Sequence, residues 1–268
     1  MTPWLEVCRA AAGDIARVLE ELPTRKEREP VLATGVGGDE TTAIDDAAER
    51  AVVVRLEQLH AEGHDFLLVS EELGMRAFGD SQTRVVVDPI DGSVNAKRGL
   101  RHFCLSVGVS DGPSLGDVVF GYLYDFATGE EWTATRDGGA QLDGRRLGDV
   151  RPKDTVELLA LEGTLSASIA DSAEALAGYA KRFRIMGSLA LSLCQLAAGR
   201  IDAVCSLRAA RAVDVAAAQL VVRECGIPIG FVDAAPWEAA PLDVAPRSLV
   251  VAAPTEELRD RLAEILSM

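Results

Sequence analysis

The chain of 268 residues is long enough to build a sizeable hydrophobic core, as one large domain or as two tightly packed halves. Its 48% content of hydrophobic residues argues against disorder. The formal net charge of -15 argues against general nucleic-acid binding, because no basic surplus is available to neutralise phosphates.

Five cysteines are scattered among apolar residues without a C-x-x-C spacing, which predicts reduced core thiols rather than disulfides or a zinc site. The N-terminal sequence has no cationic start followed by an apolar run, so no signal peptide is predicted. No segment reaches the roughly 18 apolar residues of a membrane span. We therefore expect a cytoplasmic protein that does not bind membranes.

The first predicted elements are two helices joined by a charged, proline-containing break. Apolar residues recur at helical spacing over residues 3–22, and a Gly-rich loop then leads into a long helix that ends near residue 63. Asp45, Asp46 and Glu49 lie in the first turns of this second helix. Acids at this position often only complement the helix dipole, so a functional role stays open from this stretch alone.

A strand is predicted next over residues 66–70, with the sequence FLLVS. Glu71 and Glu72 follow it directly. A serine followed by acids is also an ordinary start of a helix, so this pair of glutamates carries little meaning in isolation.

The stretch RVVVDPIDGSVNAKR, residues 84–98, places a strand of three valines against an acidic turn. Pro89 cannot donate a hydrogen bond to a sheet, and we expect it to end the strand at Asp88. Asp88 and Asp91, with the Ile90 carbonyl between them, offer the hard oxygen ligands that Mg²⁺ prefers.

The acids at the ends of these two strands should meet if the strands are neighbours in one sheet. Four converging carboxylates would repel one another strongly unless a cation lay among them. Gly92 and Ser93, which follow the acidic turn, present small side chains and backbone amides that suit a phosphate group. The turn therefore predicts a site for Mg²⁺ and phosphate.

The rest of the first half consists of β-like runs separated by turn residues. They cover residues 102–110, 116–125 and 130–136, and a short hairpin is predicted over 138–147. Such a meander predicts a mostly antiparallel sheet.

From about residue 150 the pattern changes to alternating strands and helices, and we predict two halves, 1–150 and 151–268. The second half is α/β in pattern, and its predicted elements follow in two groups. The strands are expected at 156–163, 183–187, 201–207 and 247–254, and the helices at 171–182, 188–200, 212–226 and 254–268.

Asp214 is the charged residue of an otherwise apolar helical stretch, AVDVAAAQL, in this second half. Such an acid is either a cap at the helix start or a functional ligand held by the core. Arg208 and Arg211 lie just upstream and could either balance its charge or receive an anionic substrate. The sequence leaves both alternatives open.

Five segments together resemble a known family. DPIDGSVN resembles the DPIDGTxNF signature of the inositol monophosphatase-like superfamily of Mg²⁺-dependent, lithium-sensitive sugar phosphatases. DETTAID, SEELG, FRIMGSLAL and VDVAAAQLVVRECG resemble its other segments, and all five follow the family order from about Asp39 to Gly226. The Gly-rich loop and the R-x-x-R-x-x-D run resemble the archaeal-type branch, whose members act on both inositol monophosphates and fructose 1,6-bisphosphate.

The resemblance implies a layered αβαβα sandwich with an antiparallel first sheet and a smaller mixed second sheet. It also implies a homodimer and two to three Mg²⁺ ions. Glu71, Asp88 and the Ile90 carbonyl match the ligands of the first ion, and Asp88, Asp91 and Asp214 match those of the second. Glu71 also approaches a third ion.

The family's catalytic and substrate residues can be carried over in the same way. Asp45 and Ser93 match the pair that orients and activates the attacking water, together with Glu71. The amides of Gly92 and Ser93 match the phosphate-binding residues. The residues matched to substrate binding are Asp91, Ser188, Leu189, Ala190, Arg208 and Arg211.

The chain also departs from the family pattern. Ser93 replaces a threonine but keeps the hydroxyl, Ala96 replaces a phenylalanine, and Val213 replaces a tryptophan, as archaeal-type members allow. Leu207 stands about where inositol-specific members carry a glutamate that binds a ring hydroxyl. This last departure puts strict recognition of inositol in doubt.

The expected function is hydrolysis of a small polyol or sugar phosphate, above all inositol 1-phosphate and also fructose 1,6-bisphosphate. The expected reaction is in-line attack of a metal-activated water without a phosphoenzyme. A phosphatase for 3′-phosphoadenosine 5′-phosphate or NADP(H) is the alternative within the enzyme class. A non-catalytic metal-binding interaction protein is the alternative from another class, disfavoured because a scaffold has no reason to crowd like charges.

Overall fold

The computed structural model describes residues 3–148, 153–163, 165–233 and 236–267. The predicted boundary between the two halves, after residue 150, lies outside the described residues. The helices are α1 (Pro3–Glu21), α2 (Arg25–Arg28), α3 (Ala43–Ala61), α4 (Ser93–Arg98), α5 (Ser166–Ala175), α6 (Leu189–Ala197), α7 (Ala212–Glu224) and α8 (Glu256–Ser267).

The strands form a two-stranded, an eight-stranded and a five-stranded sheet within the described residues. They are β1 (Val31–Thr34), β2 (Glu40–Thr42), β3 (Phe66–Ser70), β4 (Gly74–Phe78), β5 (Arg84–Asp91), β6 (Cys104–Ser110), β7 (Val118–Asp125), β8 (Glu131–Thr135), β9 (Gly139–Leu142), β10 (Arg145–Arg146), β11 (Val156–Glu162), β12 (Ala180–Arg184), β13 (Ala203–Ser206), β14 (Ile229–Phe231) and β15 (Val250–Ala252).

The large sheet has the strand order β10-β9-β8-β7-β6-β5-β3-β4. Its neighbouring strands pair antiparallel, except that β3 and β5 run parallel. The predicted antiparallel meander is therefore confirmed, and the one parallel pair is the pair of strands that precede the predicted acidic residues. Parallel pairing places the carboxyl ends of both strands at the same edge.

The smaller sheet has the order β12-β11-β13-β15-β14, with β12, β11 and β13 parallel and the other pairs antiparallel. It is the mixed second sheet that the family resemblance implies. Its edge strand β12 exposes Lys181, Arg182 and Arg184.

The helices complete a sandwich of five layers. Helices α1 and α3 cover one face of the large sheet, and Ile15 and Leu56 of these helices are fully buried there. Helices α6 and α7 lie between the two sheets, and α8, with α5 beside it, covers the far face of the small sheet. Helix α7 is apolar on all sides, as a helix packed between two sheets must be. The expected αβαβα sandwich is confirmed.

Two local predictions are wrong. The helix expected over 171–182 is Ser166–Ala175 in the structure, and the strand expected over 183–187 begins earlier, at Ala180. Between them the chain turns at Gly178, whose φ of +87° belongs to the left-handed region that favours glycine. The alanine-rich composition predicted a helix, but pairing with β11 draws the residues from 180 onward into the sheet.

The valine strand β5 also runs further than expected, to Asp91 rather than ending at Asp88. Asp88 pairs with Ser106 and Asp91 pairs with Cys104, so two residues of β5 lie opposite one residue of β6. This irregularity takes up Pro89, which cannot donate to the ladder. Strands β1, β2, β4 and β14 were not predicted.

The predicted reduced thiols agree with the structure. All five cysteines are free, and four of them are buried, with Cys225 partly exposed. Within the described residues, no helix combines the length and the apolar character that crossing a bilayer requires.

Candidate active site

The parallel pairing of β3 with β5 places Glu71 and Asp88 side by side. Ser70 is the register partner of Val87, so the two acids are the next residues at the same level of neighbouring strands. Both line a cleft of about 780 Å³, together with Asp91 and Asp214. The expected convergence of carboxylates from distant segments is thus present in the structure.

Asp88 and Asp91 lie on either side of the irregularity in β5. Asp88 is 2% exposed, and its Oδ1 accepts a hydrogen bond of 3.0 Å from the backbone N–H of Ile90. The Ile90 carbonyl accepts a hydrogen bond of 3.0 Å from the Ser93 hydroxyl. The turn is therefore held by its own side chains, with its carboxylates at the cleft.

Gly92 joins the acidic turn to α4 in a conformation that a side chain would disturb. Its φ is +99°, and a Cβ at this position would lie 3.0 Å from the carbonyl oxygen of His102 and 3.2 Å from that of Gly187. Helix α4 begins at Ser93, and the first amides of a helix have no partner within the helix. Gly92 and Ser93 both line the cleft, where these amides can receive a phosphate oxygen.

Asp91 is oriented by the loop at the start of α6. Its Oδ2 accepts hydrogen bonds from the Ser188 hydroxyl at 2.5 Å and from the Ala190 amide at 2.7 Å. Ser188 and Ala190 were matched to substrate contacts, and here both donate to Asp91, whereas Leu189 lines the cleft. No other hydrogen bond to the Asp91 carboxylate is found among the described residues, so its Oδ1 is the oxygen left for a ligand.

Asp45 caps the start of α3 and also faces the cleft. Its Oδ2 accepts from the amide of Thr42 at 3.0 Å and from the Thr42 hydroxyl at 2.5 Å, which makes a capping box. Its Oδ1 is buried without a hydrogen-bond partner among the described residues. Asp45 and Ser93 line the same cleft but form no direct hydrogen bond. The unpartnered oxygen needs a donor or a cation.

Arg211 bridges three acids of the cleft. Its Nη2 lies 2.7 Å from Oε1 of Glu71 and 2.9 Å from Oδ1 of Asp214, and its Nη1 lies 3.1 Å from Oδ2 of Asp39. Arg211 is 4% exposed, and a Cβ on Gly37 would lie 2.7 Å from its Nη1. All of these guanidinium contacts are with carboxylates, which agrees with the alternative that Arg211 balances the charge of Asp214.

Asp214 caps its helix and also lines the cleft, where the role of a ligand stays a prediction. Its Oδ2 accepts the backbone N–H of Arg211 at 2.6 Å, which caps α7, while the carboxylate faces the cleft. Arg208 is exposed at the rim, 3.7 Å from Oδ2 of Asp39. The two upstream arginines therefore differ, since one is buried among acids and the other is open to solvent.

The pKa values of the cleft carboxylates are raised by their surroundings. Burial raises the pKa of Glu71 to about 7, with Arg211 opposing the rise and Asp214 adding to it. Burial also raises the pKa of Asp91 to about 6 against the hydrogen bond from Ser188. Burial, followed by the charges of Glu71 and Asp91, raises the pKa of Asp88 well above its ordinary value. A group of acids that resist ionisation together is suited to a cation.

The donor set fits a hard divalent cation. Every candidate ligand is an oxygen atom, the carboxylates are crowded, and a buried Asp45 oxygen has no partner. Within the described part of the chain, however, no group of three or more His, Cys, Asp or Glu side chains is already arranged as a metal site. Arg211 stands between Glu71 and Asp214, so full coordination requires it to move or share them.

Apolar side chains also line the cleft, namely Leu165, Ile185, Met186, Leu189 and Leu207. Leu207 is the residue at the position matched to a family glutamate. Lys97, Ser168 and Arg208 are polar or charged residues of the same lining.

Sequence reasoning missed Glu162, which ends β11 at the cleft. Its Oε2 accepts the amide of Gly187 at 2.8 Å, and its Oε1 accepts the hydroxyl of Ser192 at 2.5 Å. Burial raises its pKa to about 7 against these hydrogen bonds. The sequence does contain a signal for Glu162, because it is an acidic residue at the end of an apolar strand, the pattern that also pointed to Asp88.

The model of the inositol monophosphatase family matches residues 2–267. The chain belongs to the inositol monophosphatase family. It is 32% identical over 226 residues to a fructose-1,6-bisphosphatase/inositol-1-monophosphatase of Methanocaldococcus jannaschii, with 83% of this chain and 84% of the relative covered. It is 30% identical over 240 residues to the Nus factor SuhB of Pasteurella multocida, with 84% of each chain covered.

Solved structures agree with this membership. A solved inositol monophosphatase-fructose 1,6-bisphosphatase superimposes with a TM-score of 0.85 at 29% identity, over 99% of this chain and all of the other. Phosphatases of this family are generally metal-dependent. The family identified from the sequence is therefore confirmed, and the chain is a phosphatase of the inositol monophosphatase superfamily.

Proposed function

We propose that the protein is a Mg²⁺-dependent hydrolase of small polyol or sugar phosphates, foremost inositol 1-phosphate and also fructose 1,6-bisphosphate. The observation that carries the proposal is the convergence of Glu71, Asp88, Asp91 and Asp214 on one cleft beside the start of α4. Relatives named for both activities support the choice of substrates.

The residues that would hold two to three Mg²⁺ ions are Glu71, Asp88, Asp91 and Asp214, with the carbonyl of Ile90 as a further ligand. Mg²⁺ bound there would lower the pKa of water and neutralise charge on the phosphoryl group. The hydrogen bonds from Ser188 and Ala190 keep Asp91 in place for this task.

The residues around the acids supply the remaining parts of the reaction. The amides of Gly92 and Ser93 bind phosphate oxygens, which orients the phosphorus for in-line attack by water. Asp45 offers its unpartnered Oδ1 as an acceptor for a proton of the attacking water. Ser93 donates a hydrogen bond to the Ile90 carbonyl in the turn. It is the residue that acts together with Asp45 to orient and activate the attacking water.

The alcohol group of the substrate would lie against the apolar lining of the cleft, where Leu189 contacts its carbon atoms. Arg208, exposed and 3.7 Å from Asp39, can meet a second phosphate such as that of fructose 1,6-bisphosphate. Arg211 would contact substrate only if it left its carboxylate partners.

The decisive test is phosphate release from inositol 1-phosphate in Mg²⁺ and in EDTA, for the wild type and Asp88→Asn. We expect EDTA to abolish release and the substitution to lower it by more than about 100-fold, because a ligand and a buried charge are lost together. Asp80→Asn is the matched control, since Asp80 is exposed and outside the cleft. Full activity of Asp88→Asn would overturn the site.

One observation favours a second substrate class. The apolar lining that includes Leu165, Ile185 and Leu207 suits a flat, weakly polar group such as a purine base. This supports the alternative of a 3′-phosphoadenosine 5′-phosphate or NADP(H) phosphatase. Initial rates on both of these compounds and on the two sugar substrates decide between the classes.

The non-catalytic alternative is tested by the same experiment, because a scaffold would release no phosphate from any compound of the panel. A homodimer, a cytoplasmic location and the absence of a nucleic-acid partner stay predictions. The relatives named as Nus factors make the last of these worth measuring.

A further inference from the structure

Glu162 is a buried carboxylate at the cleft for which the proposed reaction has no use. It ends β11, is 3% exposed, and lies beside Gly163, whose φ is +115°. One carboxylate oxygen accepts the amide of Gly187, just before α6, at 2.8 Å, and the other accepts the hydroxyl of Ser192, within α6, at 2.5 Å. Such a buried acid is retained only where its bonds are satisfied.

Residues 186–190 lead from β12 into α6 and contact three other elements that line the cleft. The amide of Gly187 is held by Glu162, and the carbonyl of Met186 accepts from Nδ2 of Asn95 at 2.7 Å. The 186–190 segment then donates to Asp91 through Ser188 and Ala190. Glu162 therefore holds the segment at Gly187, and the residues that follow donate two hydrogen bonds to Asp91.

The segment has little freedom of its own. Gly187 has a φ of +88°, and a Cβ there would lie 3.0 Å from Nδ2 of Asn95. The carbonyl of Gly187 in turn limits the space at Gly92. A shift of the segment would therefore be felt at the acidic turn as well as at Asp91.

We propose that Glu162 is a positioning residue that anchors the 186–190 segment and thereby orients the Asp91 carboxylate for a divalent cation. The inference rests on the proposed function, because Asp91 is taken as a metal ligand. Partners that orient ligands in this way contribute to affinity although they do not touch the metal.

Calorimetric titration of the folded protein with Mg²⁺ tests the proposal. In Glu162→Met the anchor is lost and the Gly187 amide is left without its acceptor, so we expect Mg²⁺ to bind about 10- to 100-fold more weakly. Glu162→Gln keeps an acceptor for Gly187 while the Ser192 hydroxyl can turn to accept, so its affinity should stay within about threefold of the wild type.

Glu157→Met is the matched control, because Glu157 lies on the same strand but is exposed and paired with Arg182 on the surface. Its Mg²⁺ affinity should be unchanged. A second readout is the Mg²⁺ concentration for half-maximal activity, which should rise in Glu162→Met while the rate at saturating Mg²⁺ recovers. A merely structural role would lower stability and leave both Mg²⁺ readouts as in the wild type.

Wild-type Mg²⁺ affinity in a folded Glu162→Met protein would overturn the proposal. If that variant does not fold, Glu162→Asp takes its place, since it keeps the charge and draws the carboxylate back from Gly187 by one methylene. Wild-type affinity in Glu162→Asp would be equally decisive. Failure of the proposed function is distinguishable, because it would appear in the wild type itself, as the absence of Mg²⁺-dependent phosphate release.

Discussion

Arg211 is the buried cation toward which three carboxylates of the cleft are directed, namely those of Asp39, Glu71 and Asp214. A guanidinium matches two carboxylates at once because its donors form a planar fork. Arg211 offsets part of the repulsion among these acids, and it would compete with Mg²⁺ for two of the proposed ligands. We therefore expect the same side chain to raise stability and to lower metal affinity.

We predict that Arg211→Met lowers the free energy of unfolding in EDTA by about 3 kcal/mol, since removal of one partner leaves buried charges uncompensated. Saturating Mg²⁺ should restore more stability to the variant than to the wild type. Urea unfolding followed by circular dichroism, in EDTA and in Mg²⁺, measures both effects.

Arg208→Met is the matched control for this prediction. Arg208 is exposed and meets Asp39 only at 3.7 Å, so its loss should change stability by less than about 1 kcal/mol. Equal effects of the two substitutions in EDTA would contradict the role assigned to Arg211. A rise in KM confined to Arg208→Met would place Arg208 on the substrate.

Glu49 makes stability depend on pH. It is 4% exposed, accepts from the Ser70 hydroxyl, and has an Oε1 without a partner among the described residues. Burial raises its pKa from 4.5 to about 7, opposed by Ser70 and supported by the charge of Glu72. The folded protein thus keeps a proton that the unfolded chain loses between these two values.

This stabilising contribution is full below pH 4.5 and is lost as pH rises through about 7, by roughly 3 kcal/mol at most. We predict that Glu49→Gln gains stability relative to the wild type over this window, because its side chain carries no charge to bury. Urea unfolding in EDTA across the window tests this, with Glu57→Gln, an exposed position, as the control. Parallel pH profiles for wild type and Glu49→Gln would refute it.

At the residue scale the sequence predicted that the acids meet at one cleft, but it did not predict which residues they pair with. Asp88, Asp91 and Glu71 follow apolar strands, a local pattern that can be read directly from the chain. The pairing of Arg211 with Glu71 joins residues 140 positions apart, and local patterns contain no information on such contacts. Glu162 was missed because it belongs to none of the five segments that resemble the family.

At the scale of elements, the 186–190 segment has a backbone that its neighbours constrain. Gly187 and Gly178 have almost the same φ, +88° and +87°, but a Cβ would crowd Asn95 at the first and meet nothing within 4 Å at the second. Their alanine variants therefore share the backbone strain, and only one of them disturbs the cleft.

We predict that Gly187→Ala and Gly178→Ala each lose about 1 kcal/mol of stability through backbone strain. Gly187→Ala should lose more and should also weaken Mg²⁺ binding, because the Asp91 donors move with the segment. Thermal unfolding and Mg²⁺ titration of both variants provide the comparison. The same Mg²⁺ affinity in both would show that the segment tolerates the displacement.

Element boundaries followed the sequence where one local signal dominated. The periodic apolar face of α1 and the valines of β5 were placed correctly. Strand β12 was placed too late because its charged residues resemble a helix surface and become a strand only through pairing with β11. Short strands such as β1 and β14 contain too few residues for a periodic signal.

For the molecule as a whole, the decisive feature is the α6–α7 layer shared by the two sheets. Val221 and Leu193 of this layer are fully buried, and the same core includes Trp132 of the large sheet and Val204 of the small one. Neither sheet can expose this layer without opening the other. We therefore propose that the halves 1–150 and 151–268 unfold together.

We predict one cooperative transition in urea, with coincident midpoints by tryptophan fluorescence, near-ultraviolet and far-ultraviolet circular dichroism. The buffer contains EDTA, so that bound metal does not raise the unfolding midpoint of one half of the chain alone. Separate midpoints, or a stable fragment after limited proteolysis, would show that the halves are independent.

The exposed cations of β12 bear on how the protein behaves at high concentration. An edge strand presents unpaired backbone groups to which another copy could add a strand. Lys181, Arg182 and Arg184 place three positive charges within five residues of this edge, although acidic residues outnumber basic ones by 42 to 27 in the chain. Arg182 is paired with Glu157. The charges of Lys181 and Arg184 make two β12 edges repel each other, so strand addition at this edge of the second sheet is disfavoured.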